Sequence, residues 1–110
     1  MATRKTQIGW VPEAIKHAFG KLFQREHIRP EFYRVYVGSS VVPDKYNVIL
    51  VWDGFEPMSV TARQVWLWKR TRKAVPKAVR QTLGNVSAYS VKEVVVADEL
   101  SLQEHASSVY

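Results

Sequence analysis

Eight cations and one tryptophan set the chemistry open to this chain. Arg63, Lys69, Arg70, Arg72, Lys73, Lys77, Arg80 and Lys92 stand between Pro57 and Lys92, a stretch with no Asp or Glu. Residues 1–56 carry eight Lys/Arg against six Asp/Glu, and residues 93–110 carry none against four. The segment charges are +2, +8 and −4, which sum to the net +6. Cations gathered in one place draw in a polyanion by long-range attraction and by release of its counterions. Trp66 stands among them, and an indole beside phosphate contacts is a stacking platform for a base. The expected binding set is Arg63, Trp66, Lys69, Arg70, Lys73, Lys77 and Arg80. Five or six of these on phosphates would give a log–log salt slope of about −4 to −5 on B-DNA.

The same face suits an acidic protein partner. Glu93, Asp98, Glu99 and Glu104, which follow it in the chain, can also cover it from within. Other chemistry finds little support. The chain has no cysteine, which excludes disulfides, thiolate metal sites and thiol nucleophiles. His17, His27 and His105 lack ligand spacing, and His27 near a helix C-terminus suits the dipole there. Asp53 and Glu56 fall on a turn, where forming that turn is their ordinary work. Ser39, Ser40, Ser59 and Thr61 have neither a nucleophile elbow nor a Gly-rich phosphate loop around them. The expectation is a non-enzymatic protein with no cofactor and no metal.

The elements that must position the basic residues follow from pattern. With 110 residues, 46% of them hydrophobic, the chain builds one core and not two. Residues 1–9 are expected to be loose, 10–97 to form the globular core and 98–110 to be an acidic tail. Pro12-Glu13 opens a helix in which Ala14, Ile15, Ala18, Phe19, Leu22 and Phe23 recur at three and four, ending near Glu26. Tyr33, Val35 and Val37 alternate with polar neighbours as a half-buried strand. The turn residues Gly38-Ser39-Ser40 and Pro43-Asp44 lead to a second strand, 45–52, apolar enough from Val48 to be buried on both faces. The two read as an antiparallel pair.

Ser59 and Thr61 compete to cap the next helix, 60–74, and Pro76 starts another, 76–83, which Gly84 stops. On a wheel with Arg63 at zero and phase carried across Pro76, Val65, Trp68, Val75, Val79 and Leu83 fall between about 120° and 200°. They form the expected core stripe, with Lys69, Arg80, Lys73, Lys77, Arg70 and Arg63 at about 240° through 360° and Trp66 near 300° among them. A last strand covers 85–97. The fold class is α+β: one small domain in α-β-β-α-α-β order, helices on one face of a three-stranded mixed sheet. Its edge strands leave room for a homodimer. The longest apolar run, Val48 to Trp52, is far shorter than a membrane span, and Met1 to Gln7 lacks a signal-peptide core. A cytoplasmic location is expected.

The stretch from Tyr46 to Trp68, YNVILVWDGFEPMSVTARQVWLW, resembles the BolA family, a relative of the type II KH fold. Asp53, Phe55, Ser59, Arg63 and Trp68 stand at matching positions, with Leu67 before the aromatic, and Ala14 to Phe23 is similar to the family's first helix. The likeness covers roughly 70 residues. It implies the α-β-β-α-α-β order and two roles: nucleic-acid binding through the helical face, and iron–sulfur partnership with monothiol glutaredoxins. The family's Arg-His pair is Arg63-Gln64 here, and its later His-Ala-Leu is Ser87-Ala88-Tyr89. The loop from Gly38 to Lys45 has neither Cys nor His, and no G-x-x-G joins the helices. The leading expectation is therefore nucleic-acid binding or regulation through the face 63–80. The alternative is an adaptor on a BolA-like scaffold that docks an acidic partner, glutaredoxin-linked at most without the usual cluster-ligand His.

Overall fold

A computed structural model describes the backbone of residues 3–94 and the side chains of residues 11–94. The chain is an α+β fold: α1 (Thr3–Arg25), β1 (Tyr33–Ser39), β2 (Tyr46–Trp52), α2 (Val60–Ala74), α3 (Lys77–Arg80) and β3 (Leu83–Tyr89). Short 3-10 turns at Pro30–Phe32 and Asp53–Phe55 link the larger pieces. Strand order is β1-β2-β3, with β1 antiparallel and β3 parallel to the central β2. The expected mixed sheet is present, and β1 and β3 are its edges. The expected acidic tail, with Asp98, Glu99, Glu104 and His105, lies outside the described residues.

Register decides which side chains enter the core. Val35 faces Leu50 and Val37 faces Val48, while Val48 faces Val86 and Leu50 faces Ala88 on the parallel side. These residues share one face of the pleat, and all three helices pack there through Ile15, Phe19, Leu22, Phe23, Leu67 and Val79, with Val75 between α2 and α3. The other face carries Arg34, Tyr36, Asn47 and Ile49. β2 is thus not enclosed on both sides: Val48, Leu50 and Val51 are buried, but Ile49 is 40% exposed.

Element ends differ from expectation for local reasons. The first helical span begins at Thr3 and holds Pro12 in its interior, where expectation had a loose segment before Pro12. It closes with His27 in the left-handed region (φ 61°), and Ile28 N–H donates back to the Phe23 carbonyl, a Schellman-type end. Gly84 does not stop α3, which ends at Arg80; it lies in β3, where a Cβ would come within 2.9 Å of Asn47 Oδ1 beside the register shift at Tyr46/Asn47. The third strand ends at Tyr89, short of Ala97, and residues 91–94 are helical. The cause is a capping box. Ser90 Oγ accepts from Glu93 N–H at 3.3 Å, and Glu93 Oε1 accepts from Ser90 N–H at 2.7 Å. Two satisfied end groups outweigh the strand preference of Val91 and Val94, and residues 95–97 of the expected strand lie outside the described residues.

Candidate nucleic-acid interface

α2 is the element that holds most of the expected binding residues, and Ser59 fixes where it starts. Its Oγ accepts from Ala62 N–H at 3.0 Å, so Ser59 and not Thr61 is the cap. With this start, Arg63, Trp66, Leu67, Arg70 and Ala74 turn inward at helical spacing, and Gln64, Val65, Trp68, Lys69, Arg72 and Lys73 turn outward. The expected wheel was rotated. Its phase came from Val75, Val79 and Leu83, but Val75 (φ −100°, ψ 121°) and Pro76 (φ −58°, ψ 149°) are extended, so α3 does not continue the phase of α2. Val75 and Val79 are buried as expected, whereas Val65 and Trp68 are exposed.

Arg63 is accordingly a structural residue and not a phosphate ligand. It is 7% exposed. Its Nε donates to the carbonyls of Phe55 at 2.9 Å and Met58 at 3.2 Å, and its Nη1 donates to Ala88 O at 3.2 Å and Glu93 Oε1 at 2.7 Å. One guanidinium thus closes the turn after β2, the end of β3 and the capping box behind it, a charge-assisted set of bonds. Asp53 adds a second tie, accepting Val91 N–H at 3.1 Å. The Glu93 carboxyl is held below its ordinary value, first by the Ser90 backbone N–H and next by Arg63.

Trp66 is not a free platform. Its ring lies 5.3 Å from Trp52 and 5.3 Å from Phe55, the latter at 89°, and 6.1 Å from Phe23. Edge-to-face packing of this kind is a core arrangement. The Arg70 guanidinium covers the remaining face at 4.2 Å from the centroid. Arg70 Nη1 donates to Trp66 O at 3.2 Å, and Arg70 Nε pairs with Glu26 Oε1 at 2.8 Å, off the N–H direction. Arg70 is therefore occupied by the fold as well.

Trp68 and Arg72 are the residues that the sequence reading did not assign to the site. Trp68 is 67% exposed, and Arg72 stands over it with its guanidinium carbon 6.0 Å from the ring centroid. Lys69, Lys73 and Lys77, all expected binding residues, are exposed alongside them. Lys69, Arg72, Lys73 and Lys77 make no ion pair among the described residues. The structure therefore leaves an exposed indole beside Lys69 and Arg72 on the outer side of α2, with Lys73 and Lys77 exposed and unpaired further along α2 and at the start of α3. Two tryptophans two residues apart in a helix point to different sides, so a correct phase for α2 alone would have found the exposed one.

Arg80, also expected in the site, is not one of the exposed cations. It is half-buried and lines a cavity of about 250 Å³ between α2 and β3, together with Gln64, Leu67, Trp68, Thr71, Leu83 and Val86. Its Nε is buried and has no hydrogen-bond partner among the described residues. No group of three or more His, Cys, Asp or Glu side chains among the described residues could hold a metal ion. No described helix is long and apolar enough to cross a membrane. In comparisons with known proteins, no family model, no curated protein and no solved structure matches this chain.

Proposed function

We propose that this chain is a non-enzymatic nucleic-acid-binding domain whose contact surface is the outer side of α2 and the start of α3. The carrying observation is Trp68, largely exposed next to Lys69 and with Arg72 over its ring, neither cation paired to a carboxylate among the described residues, and with Lys73 and Lys77 exposed and unpaired further along. An indole supplies a face for a base, and adjacent cations supply phosphate contacts that need no sequence. Four phosphate contacts correspond to a log–log salt slope of about −3 on a single strand.

The test is retention of a labelled oligonucleotide by the full chain and by a Lys69→Glu/Arg72→Glu double variant. Both positions are exposed and unpaired among the described residues, so circular dichroism and melting should be unchanged while binding is lost. Full retention by a folded double variant would sink the reading. Val65, exposed beside Trp68, favours a second reading in which this side docks an acidic protein. That complex would lose mainly association rate as salt rises.

A further inference from the structure

The two edges of the sheet are not alike. The β3 edge begins with the register shift at Tyr46/Asn47 and with Gly84 and Asn85. The β1 edge runs seven residues in unbroken register, without Pro, Lys or a bulge, the devices that ordinarily blunt an edge. Ser40 N–H donates to the Lys45 carbonyl at 3.0 Å, so by alternation residues 34, 36 and 38 turn their peptide groups toward β2. Tyr33, Val35, Val37 and Ser39 turn theirs outward, and no described strand lies beyond them. Exposed apolar side chains stand on and around this strand: Phe32 before it, Tyr36 at its centre, and Val41 and Val42 in the turn after it. Gly38 is not in the left-handed region, and a Cβ there would meet open space. Nothing described within the chain calls for glycine at that position, although glycine weakens a strand.

We infer that the β1 edge pairs with the β1 edge of a second copy, antiparallel and in full register, joining two three-stranded sheets into one closed dimer. The strand is complementary to itself. Complete overlap sets Tyr33 against Ser39 of the second copy and Val35 against its Val37, so all four outward residues of each copy exchange hydrogen bonds. Tyr36 then meets Tyr36 across the dyad in a non-hydrogen-bonded pair, where side chains come closest. Arg34 falls opposite Gly38 of the second copy, whose missing side chain leaves room for the arginine stem, and the two Arg34 side chains do not oppose each other. Phe32 lies beside the turn of the second copy that carries Val41 and Val42, so apolar groups at opposite ends of the strand cover one another. A β1–β3 contact between copies would be head-to-tail, the geometry of rings and filaments. An unrelated extended peptide would match the outward backbone groups but not these side-chain pairings. The inference is independent of the nucleic-acid reading, and its failure leaves that reading untouched.

The test is sedimentation of the nucleic-acid-free full chain from about 1 μM to about 1 mM, a range set by the small area of an edge contact. Mass should rise from 12.7 kDa toward twice that value and stop there. Tyr36→Arg and Tyr36→Glu change an exposed side chain, and each alone should weaken the dimer about tenfold by setting like charges across the dyad. An equimolar mixture of the two should restore it, because only there do opposite charges meet. Gly38→Glu, which faces Arg34 twice per dimer, should tighten it about fivefold, and Gly38→Lys should weaken it as much. Amide exchange at Val35 and Val37 should slow as concentration rises. A chain that stays at monomer mass throughout, or grows past the dimer into an open series, overturns the inference. So does a dimer that none of these variants changes, a mixture as weak as its parts, or exchange at Val35 and Val37 that ignores concentration. Sedimentation and exchange of the unaltered chain decide even where a variant fails to fold.

Discussion

The inner and outer sides of α2 carry nearly the same residue types put to opposite use. Inside, Trp66 and the two arginines Arg63 and Arg70 are held by the fold: aromatic rings around the indole, carbonyls and carboxylates around the guanidinium groups. Outside, Trp68 with Lys69, Arg72 and Lys73 has solvent where the inner set has partners. Residue type therefore does not tell a binding residue from a structural one in this helix. Partnership does. A buried arginine whose Nε and Nη1 donate to carbonyls and to Glu93 is not presented to a phosphate, and a half-buried tryptophan packed on Trp52 and Phe55 with Arg70 over its ring has no open face to give a base.

Exchanging each tryptophan for alanine tests that contrast with the largest effect. Trp66→Ala leaves a void among Trp52, Phe55 and Phe23 and uncovers Arg70, so it should cost about 3–4 kcal/mol in denaturant unfolding. Trp68→Ala should stay within about 0.5 kcal/mol of the parent, as surface substitutions do. Binding should behave the other way: Trp68→Ala weakens retention of a single strand, and Trp66→Ala at a temperature where it is folded does not. Similar stability losses for both variants would erase the distinction drawn here.

The same exchange among the arginines follows at a smaller scale. Arg63→Ala strips partners from three carbonyls and from Glu93 at once and should cost about 2–3 kcal/mol, the lower end for a buried pair because Glu93 is half exposed. Arg72→Ala removes one weak contact over Trp68 and should leave unfolding nearly unchanged. Urea midpoints of the two variants at a common m-value make the comparison.

Much of this fold is legible in the chain because its signals are local. Ser59, Pro76 and the apolar rhythm of 14–23 mark helices without reference to distant residues, and the alternation through Tyr33, Val35 and Val37 marks a half-buried strand. The α-β-β-α-α-β order and the mixed sheet follow from them. Which side of α2 faces in is a different kind of fact. Its inner side includes Arg63 and Arg70, whose burial is stabilised by carbonyls from Phe55, Met58 and Ala88 and by Glu26 and Glu93, groups as far as 44 positions away in sequence. A hydrophobic wheel reads such a side as polar and assigns it to solvent. The error then passes to Trp66 and Trp68 together, since they share the helix. The capping box at Ser90–Glu93 was readable in the spacing, but the valine run beside it gave a stronger strand signal.

The smallest expected effect concerns acid. Glu93 joins the inner arginine to the cap behind β3, and its carboxyl is lowered first by the Ser90 N–H and then by Arg63. A carboxyl lowered in the folded state stabilises the fold above its unfolded value of about 4.3 and loses that contribution as pH falls through the folded value. Glu93→Gln keeps an acceptor for the Ser90 N–H but removes the charge that both partners favour. The variant should therefore be less stable than the parent at neutral pH, with the gap closing as pH falls below about 4. The outer side of α2 has no such coupling among the described residues, so Lys69→Gln should run parallel to the parent across the same range. Urea midpoints at a series of pH values measure both curves. A constant gap for Glu93→Gln would mean that Arg63 is held by the carbonyls alone, and that the inner side of α2 owes its order to backbone partners and not to charge.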